Sequence, residues 1–232
     1  MRTILQGIVG STAYGLHTPA SDIDRMGVFV VPTPEVVGLG RPRESVVTTK
    51  PDITQHEIKK FLRLVLNGNP SVNELLWLED YEVVSYEWGA GLLALRQSFL
   101  SARRVRDAYL GYATQQFRDL ERRDGTFGPD LRKRTEKHAR HLRRLVDQGY
   151  DLYTTGTLLI RVQDPEAVHE FGRQVAAEVQ REDPDQRFRT ATAFMEEAKT
   201  RFDLATTVLP EHPDTDRVNR WLVQLRKAHW EI

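Results

Sequence analysis

The 232-residue sequence predicts an α+β fold, and three observations carry the prediction. Short apolar runs punctuated by Gly and Pro fill the first 60 residues. From Ile58 onward the apolar spacing turns helical. The two kinds of segment are segregated along the chain. That order suits a small mixed sheet with its own helices, followed by an all-helical part. We expect one domain over residues 1–80 and a helical one over 81–232.

Residues 3–9 (TILQGIV) are the first strand candidate and end in Gly10-Ser11. The run STAYGLHTPAS then has room for a short helix and a loop. Residues 23–31 (IDRMGVFVV) form a second strand ending at Pro32, and Pro32, Pro34, Gly38, Gly40 and Pro42 mark an irregular connection. Residues 45–49 (SVVTT) and 52–56 (DITQH), around the Lys50-Pro51 break, fit a hairpin or two short strands. Ile58, Phe61, Leu62, Val65 and Leu66 make an amphipathic stripe that Gly68 and Pro70 stop. Val72, Leu75, Leu76 and Leu78 start another short helix. Further helices are expected over 88–101, 103–122, 130–149, 165–181, 187–208 and 214–229. Gly125, Gly128 and Pro129 make one break, Asp164 and Pro165 supply an N-cap and a first turn, and residues 183–186 (DPDQ) make another break. Residues 151–162 fit neither pattern cleanly.

Composition narrows the classes. With 33 Lys and Arg against 33 Asp and Glu, the net charge names no partner, although Arg132 to Arg144 (RKRTEKHARHLRR) holds seven basic residues. The absence of cysteine excludes disulfides, thiolate metal sites and a catalytic thiol. No apolar run approaches the roughly 20 residues of a membrane span, so no membrane partner is expected. The opening MRTILQGIVG is interrupted too early by polar residues for a signal peptide, and a cytoplasmic location is the expectation.

The chemistry gathers early. Asp22 and Asp24 stand at i and i+2 at the start of an apolar strand, where alternate side chains share a face. Two carboxylates that close repel, and a cation relieves them. Magnesium prefers oxygen ligands and is held by one or two carboxylates plus substrate phosphates; manganese is the alternative. Upstream, Gly10 lets the backbone approach a phosphate and Ser11 offers a hydroxyl, the more so if a helix starts there. Either motif alone is common. In order they are specific: apolar strand, Gly-Ser, short spacer, Ser21-Asp22-Ile23-Asp24, apolar strand.

The segment GSTAYGLHTPASDIDRMGVFV resembles the signature of the DNA polymerase beta nucleotidyltransferase superfamily. With Ala13-Tyr14-Gly15 inside it and Arg25, Gly27 and Val28 after it, it more narrowly resembles the nucleotidyltransferases associated with RNA ligases. EIKKFLRLVLNGNPSVNELLW (57–77), GYATQQF (111–117) and KHARHLRRL (137–145) are similar to that family's later segments, and the likeness spans about residues 4 to 160. The resemblance implies a catalytic domain at 1–80, a substrate-binding one at 81–232, a nucleoside triphosphate such as ATP as substrate, and an RNA-processing role. It also implies a third acidic residue from a later strand. Asp52 and Glu57 are the candidates, with Glu44 behind them; a strand position favours Asp52, and Glu57 alternatively serves as a first-turn acid of a helix. His56 shares a face with Asp52 if that strand is regular.

On the basic helix, Lys137, Arg140, His141 and Arg144 fall at spacings that share a face suited to phosphate. By itself this is a solvated face, with Glu136 pairing Arg140; the resemblance favours phosphate, with Lys137 and Arg144 first. Ser21 and Arg25 flank the carboxylate pair and are further candidates for contact with nucleotide. The expected metal set is Asp22, Asp24 and Asp52. The expected reaction moves a nucleoside monophosphate from the triphosphate to an acceptor hydroxyl, an RNA end by resemblance, releasing pyrophosphate. Rival readings are a small-molecule or protein acceptor, or a module that binds nucleotide or RNA without turnover. The balanced charge stands mildly against a large nucleic-acid footprint. Oligomeric state is not readable.

Overall fold

The structure is a computed structural model and describes residues 1–19, 21–121, 129–179 and 187–230. The breaks expected at Gly125-Gly128 and at 183–186 lie outside the described residues. The chain packs as two compact units, Met1–Ser101 with Pro210–Ile232, and Ala102–Leu209. The expected seam near residue 80 thus falls inside the first unit, which extends to Ser101 and takes in the last helix.

The first unit begins with strand β1 (Arg2–Val9), the five-residue helix α1 (Gly10–Tyr14) and strand β2 (Asp24–Val30). Helix α2 (Thr33–Val37) occupies the connection expected to be irregular, with Pro34 in its first turn. Strands β3 (Ser45–Thr49) and β4 (Asp52–Glu57) form the expected hairpin around a cis Lys50-Pro51 bond. Helix α3 (Ile58–Leu66) follows at once, then α4 (Pro70–Asn73) running into a 3-10 turn over Glu74–Trp77. Strand β5 (Val83–Val84), helix α5 (Trp88–Ala94) and a 3-10 turn over Arg96–Phe99 lead out of the sheet.

The sheet has the order β3-β4-β2-β1-β5. It is mixed: β2 and β4 run parallel, while β1 pairs antiparallel with β2 and β5, and β3 with β4. Val28 and Phe29 project to opposite faces of β2, and both are 0% exposed, so the sheet's centre is covered on both sides. Helix α3 explains its own formation. Its buried residues Ile58, Phe61, Leu62 and Val65 recur at helical spacing, and each contributes about 1.5–3 kcal/mol by leaving water. Phe61→Ala would cost about 3–5 kcal/mol.

In the second unit α6 (Ala102–Glu121), α7 (Pro129–Thr155), α8 (Pro165–Glu178) and α9 (Arg189–Leu204) pack around Tyr109, Leu142, Leu145, Val175 and Phe202. Asp164 caps α8, accepting from the Ala167 amide at 2.9 Å. Gly149 of α7 sits against the Tyr109 ring of α6, where a methyl group would meet the ring at 2.7 Å or closer, so the two helices cross tightly there.

The last helix, α10 (Thr215–Ala228), belongs to the first unit. Asp214 caps it, and the Asp214 amide donates to the Ser98 carbonyl at 2.9 Å. The Thr33 amide donates to the His229 carbonyl at 2.8 Å, and Trp88 packs edge-on against Trp221 and His229. Among the described residues no helix is long and apolar enough to cross a membrane.

Candidate active site

Strand β1 ends at Val9, whose ladder partner is Asp24, the first residue of β2. The chain then turns at Gly10, which has φ +70°, a left-handed conformation that disfavours any side chain. A methyl group there would also collide with a carboxylate oxygen of Asp24. Glycine is therefore required twice, once by its backbone and once by the carboxylate lying against its Cα. Helix α1 follows for a single turn and ends at Gly15, φ +73°. The Leu16 amide donates to the Ser11 carbonyl at 2.9 Å. The Tyr14 hydroxyl donates to Glu74, a buried carboxylate, and so pins the short helix to the next layer. Ser11 is half-buried on this turn.

Ser21 closes the approach to β2. Its hydroxyl accepts from the Thr18 amide at 2.9 Å, and its own amide donates to the Thr18 carbonyl at 2.9 Å. Asp22 comes next, exposed, two residues before the ladder begins. The strand expected from residue 23 thus starts at Asp24, with Asp22 on its threshold.

The parallel pairing of β2 with β4 sets the two candidates for a third acid apart. Arg25 is opposite Ile53, so Asp24 and Asp52 each stand one residue earlier, at the first positions of adjacent strands. Side chains level with each other on neighbouring strands project to the same face. Asp52 is exposed at this edge. Glu57, five residues on, projects to the other face and is 5% exposed. It accepts from the Lys59 amide at 2.8 Å as the N-cap of α3 and pairs with Arg226 of α10. Asp52 is thus beside Asp24, and Glu57 is not. Glu44 is exposed and pairs with Arg63 at 2.8 Å.

Arg25 alternates away from Asp24 to the opposite face, where its Nε donates to Glu82 at 2.8 and 3.1 Å. Gln6 donates to Glu82 at 3.1 Å, and Gln55 donates across Gly27 to Gln6 at 2.9 Å. This polar layer backs the strands that carry the acids. The sequence offered no signal for Glu82, which meets Arg25 from 57 positions away.

Among the described residues no group of three or more His, Asp or Glu side chains already stands as a metal cage. The donors nevertheless suit a hard divalent cation, for which two carboxylates suffice when phosphate oxygens complete the shell.

The basic helix divides its charges. Lys137 is exposed on α7, whereas Arg144 is 2% exposed in the interior of its unit. Arg144 donates to Gln148 at 2.5 Å and lies 2.9 Å from His141 Nδ1, while Gln148 donates to the Leu159 and Ile160 carbonyls at 2.8 and 3.0 Å. Burial and the Arg144 charge push the His141 pKa down to about 3, which keeps the ring neutral. Arg140 lies 3.1 Å from His169 Nδ1. The shared basic face expected over Lys137, Arg140, His141 and Arg144 is therefore largely turned inward.

No curated protein matches the chain. Among solved structures, a nucleotidyltransferase-like protein from Exiguobacterium sibiricum aligns over 98% of this chain and 74% of its own, at 10% identity and a TM-score of 0.36. A family model, RNA repair pathway DNA polymerase beta family, matches residues 1–224. The chain belongs to that family and is a nucleotidyltransferase of the polymerase beta type.

Proposed function

We propose that this enzyme transfers a nucleoside monophosphate from a nucleoside triphosphate to a hydroxyl at an RNA end, releasing pyrophosphate. One observation carries the reading: Asp24 lies against Gly10, with Asp52 level with it at the start of the adjacent parallel strand. This placement supports reading three functions at the start of these strands: a phosphate turn, a metal-binding pair and an acid to take a proton. The family's description as an RNA repair pathway supports the acceptor class.

Gly10 admits the triphosphate close to the backbone, and the Ser11 hydroxyl donates to a phosphate oxygen. Asp22, Asp24 and Asp52 would hold magnesium, with manganese as substitute. When bound, the metal neutralises phosphate charge and favours the ionised form of the acceptor hydroxyl. Asp52 accepts the hydroxyl proton. The acceptor oxygen attacks the α-phosphorus in line, the bond to the bridging oxygen breaks, and pyrophosphate departs. The protein's part is positioning and charge, not a covalent intermediate. ATP is the first donor to test.

The test is incubation with each labelled nucleoside triphosphate and magnesium, against RNA, DNA, protein and small-hydroxyl acceptors. Label should pass to RNA, and the Asp22→Asn, Asp24→Asn double variant should transfer none. Transfer to protein or small molecules alone would move the acceptor class. No transfer to any acceptor would leave a module that binds without turnover.

A further inference from the structure

A second cluster lies on the same sheet face as Asp24 and Asp52. Ser45 and His56 are ladder partners on β3 and β4, so their side chains project together. His56 is four residues beyond Asp52 on β4, hence on the same face. The Ser45 hydroxyl lies 2.8 Å from His56 Nδ1 and accepts a hydrogen bond from Lys60 Nζ, also at 2.8 Å. Lys60 comes from the first turn of α3.

The hydrogen-bond inventory orients this cluster. The ammonium can only donate, so the serine oxygen accepts from Lys60, and Ser45 shares a second hydrogen bond with His56 Nδ1 whose direction follows the imidazole tautomer. Burial and the Lys60 charge both lower the His56 pKa, which favours a neutral ring. Lys60 is half-buried, and among the described residues its polar partner is the Ser45 hydroxyl, with no carboxylate in ion-pair reach. The neighbouring Arg63 is already matched by Glu44. A partly desolvated ammonium with two N–H groups to spare, beside an imidazole, lacks an anion.

We propose that Lys60, Ser45 and His56 form a phosphate subsite that holds a backbone phosphate of the acceptor polynucleotide. Four residues of strand set it about 13 Å from Asp52. That is a span of about four stacked nucleotides at roughly 3.4 Å each. The subsite makes acceptor length a determinant of binding. It rests on the RNA-acceptor reading above and deepens it.

The test uses the full chain and fluorescence anisotropy with labelled single-stranded oligoribonucleotides of two and of eight nucleotides. Lys60→Gln should weaken octamer binding roughly threefold to tenfold and lower the salt slope by about 0.7. Dinucleotide binding and the KM for the triphosphate should not change, and Lys60→Arg should restore the octamer. Ser45→Ala should give a smaller loss of the same length dependence. Equal losses at both lengths, no loss at either, or a raised triphosphate KM that assigns the lysine to the donor nucleotide would each overturn the subsite. The two readings fail separately. Length-dependent binding through Lys60 without any transfer would sink the transfer reading alone. Transfer to RNA that is indifferent to Lys60 would sink the subsite alone.

Discussion

The two ends of β4 carry carboxylates with opposite surroundings. Asp52 opens the strand in solvent, level with Asp24 on the neighbouring strand. Glu57 closes it, 5% exposed, capping α3 and paired with Arg226 from the far end of the chain. The same division recurs on α7, where Lys137 is exposed and Arg144 is interior. In each pair the buried charge is matched by the protein's own groups and holds the fold together. The exposed one faces solvent, the setting we propose for a charge that meets a ligand. Residue type does not distinguish the two roles, but burial does.

The sharpest test of that division is at β4. Asp52→Asn should cut transfer on the order of 10³-fold, about 4 kcal/mol of transition-state stabilisation, while urea unfolding stays within about 0.5 kcal/mol of wild type. Glu57→Gln should do the reverse. Removing one partner of a buried ion pair strands the other, and a loss of about 3 kcal/mol is expected in the unfolding free energy, with transfer per folded molecule retained. Glu57→Leu combined with Arg226→Met should recover part of that loss. If Glu57→Gln instead abolished transfer at unchanged stability, the two ends would have to exchange roles.

Local features were legible in the sequence, and long-range ones were not. The turn at Gly10-Ser11 and the start of β2 were readable because φ, strand alternation and spacing act over a few residues. The hairpin or strand pair at 45–49 and 52–56 was readable for the same reason, since the Lys50-Pro51 break sits between two runs rich in β-branched residues. Strand β5 is two residues long, below any periodicity, and exists because Leu5 and Gln6 of β1 offer it a ladder. The different settings of Asp52 and Glu57 come from the β2–β4 register and from Arg226, 169 residues from Glu57, and neither is local in the sequence. Arg25 was a candidate for the carboxylates or a phosphate by adjacency to Asp24, and its partner Glu82 on the opposite face was not readable from that adjacency.

The buried set on α7 makes a pH-dependent prediction of intermediate size. In the unfolded chain His141 titrates near its ordinary value of 6.5, and in the fold only at about 3. Between these values the unfolded state holds a proton that the folded state refuses. Stability is therefore complete above about pH 6.5 and falls as pH drops towards 3, by at most about 1.4 kcal/mol per pH unit. At pH 5 the loss should be about 2 kcal/mol. His141→Gln, whose amide oxygen still accepts from Arg144, should flatten the difference between urea midpoints at pH 7 and pH 5. A slope identical to wild type would mean that another group carries the acid sensitivity.

The smallest effect is expected at the exposed member of the α7 pair. Arg144→Gln should destabilise by about 1–3 kcal/mol, because Gln148 and His141 lose a buried donor. Lys137→Gln removes a solvated ammonium and should leave unfolding within about 0.5 kcal/mol of wild type. If Lys137 meets phosphate, its loss appears only in ligand binding, as a salt slope shallower by about 0.7 for RNA at unchanged stability. A charge whose removal alters the salt slope without altering the fold would serve a ligand, as we propose for Asp52. A Lys137 variant that lowered stability as much as the Arg144 variant would show that exposure does not separate the two roles on this helix.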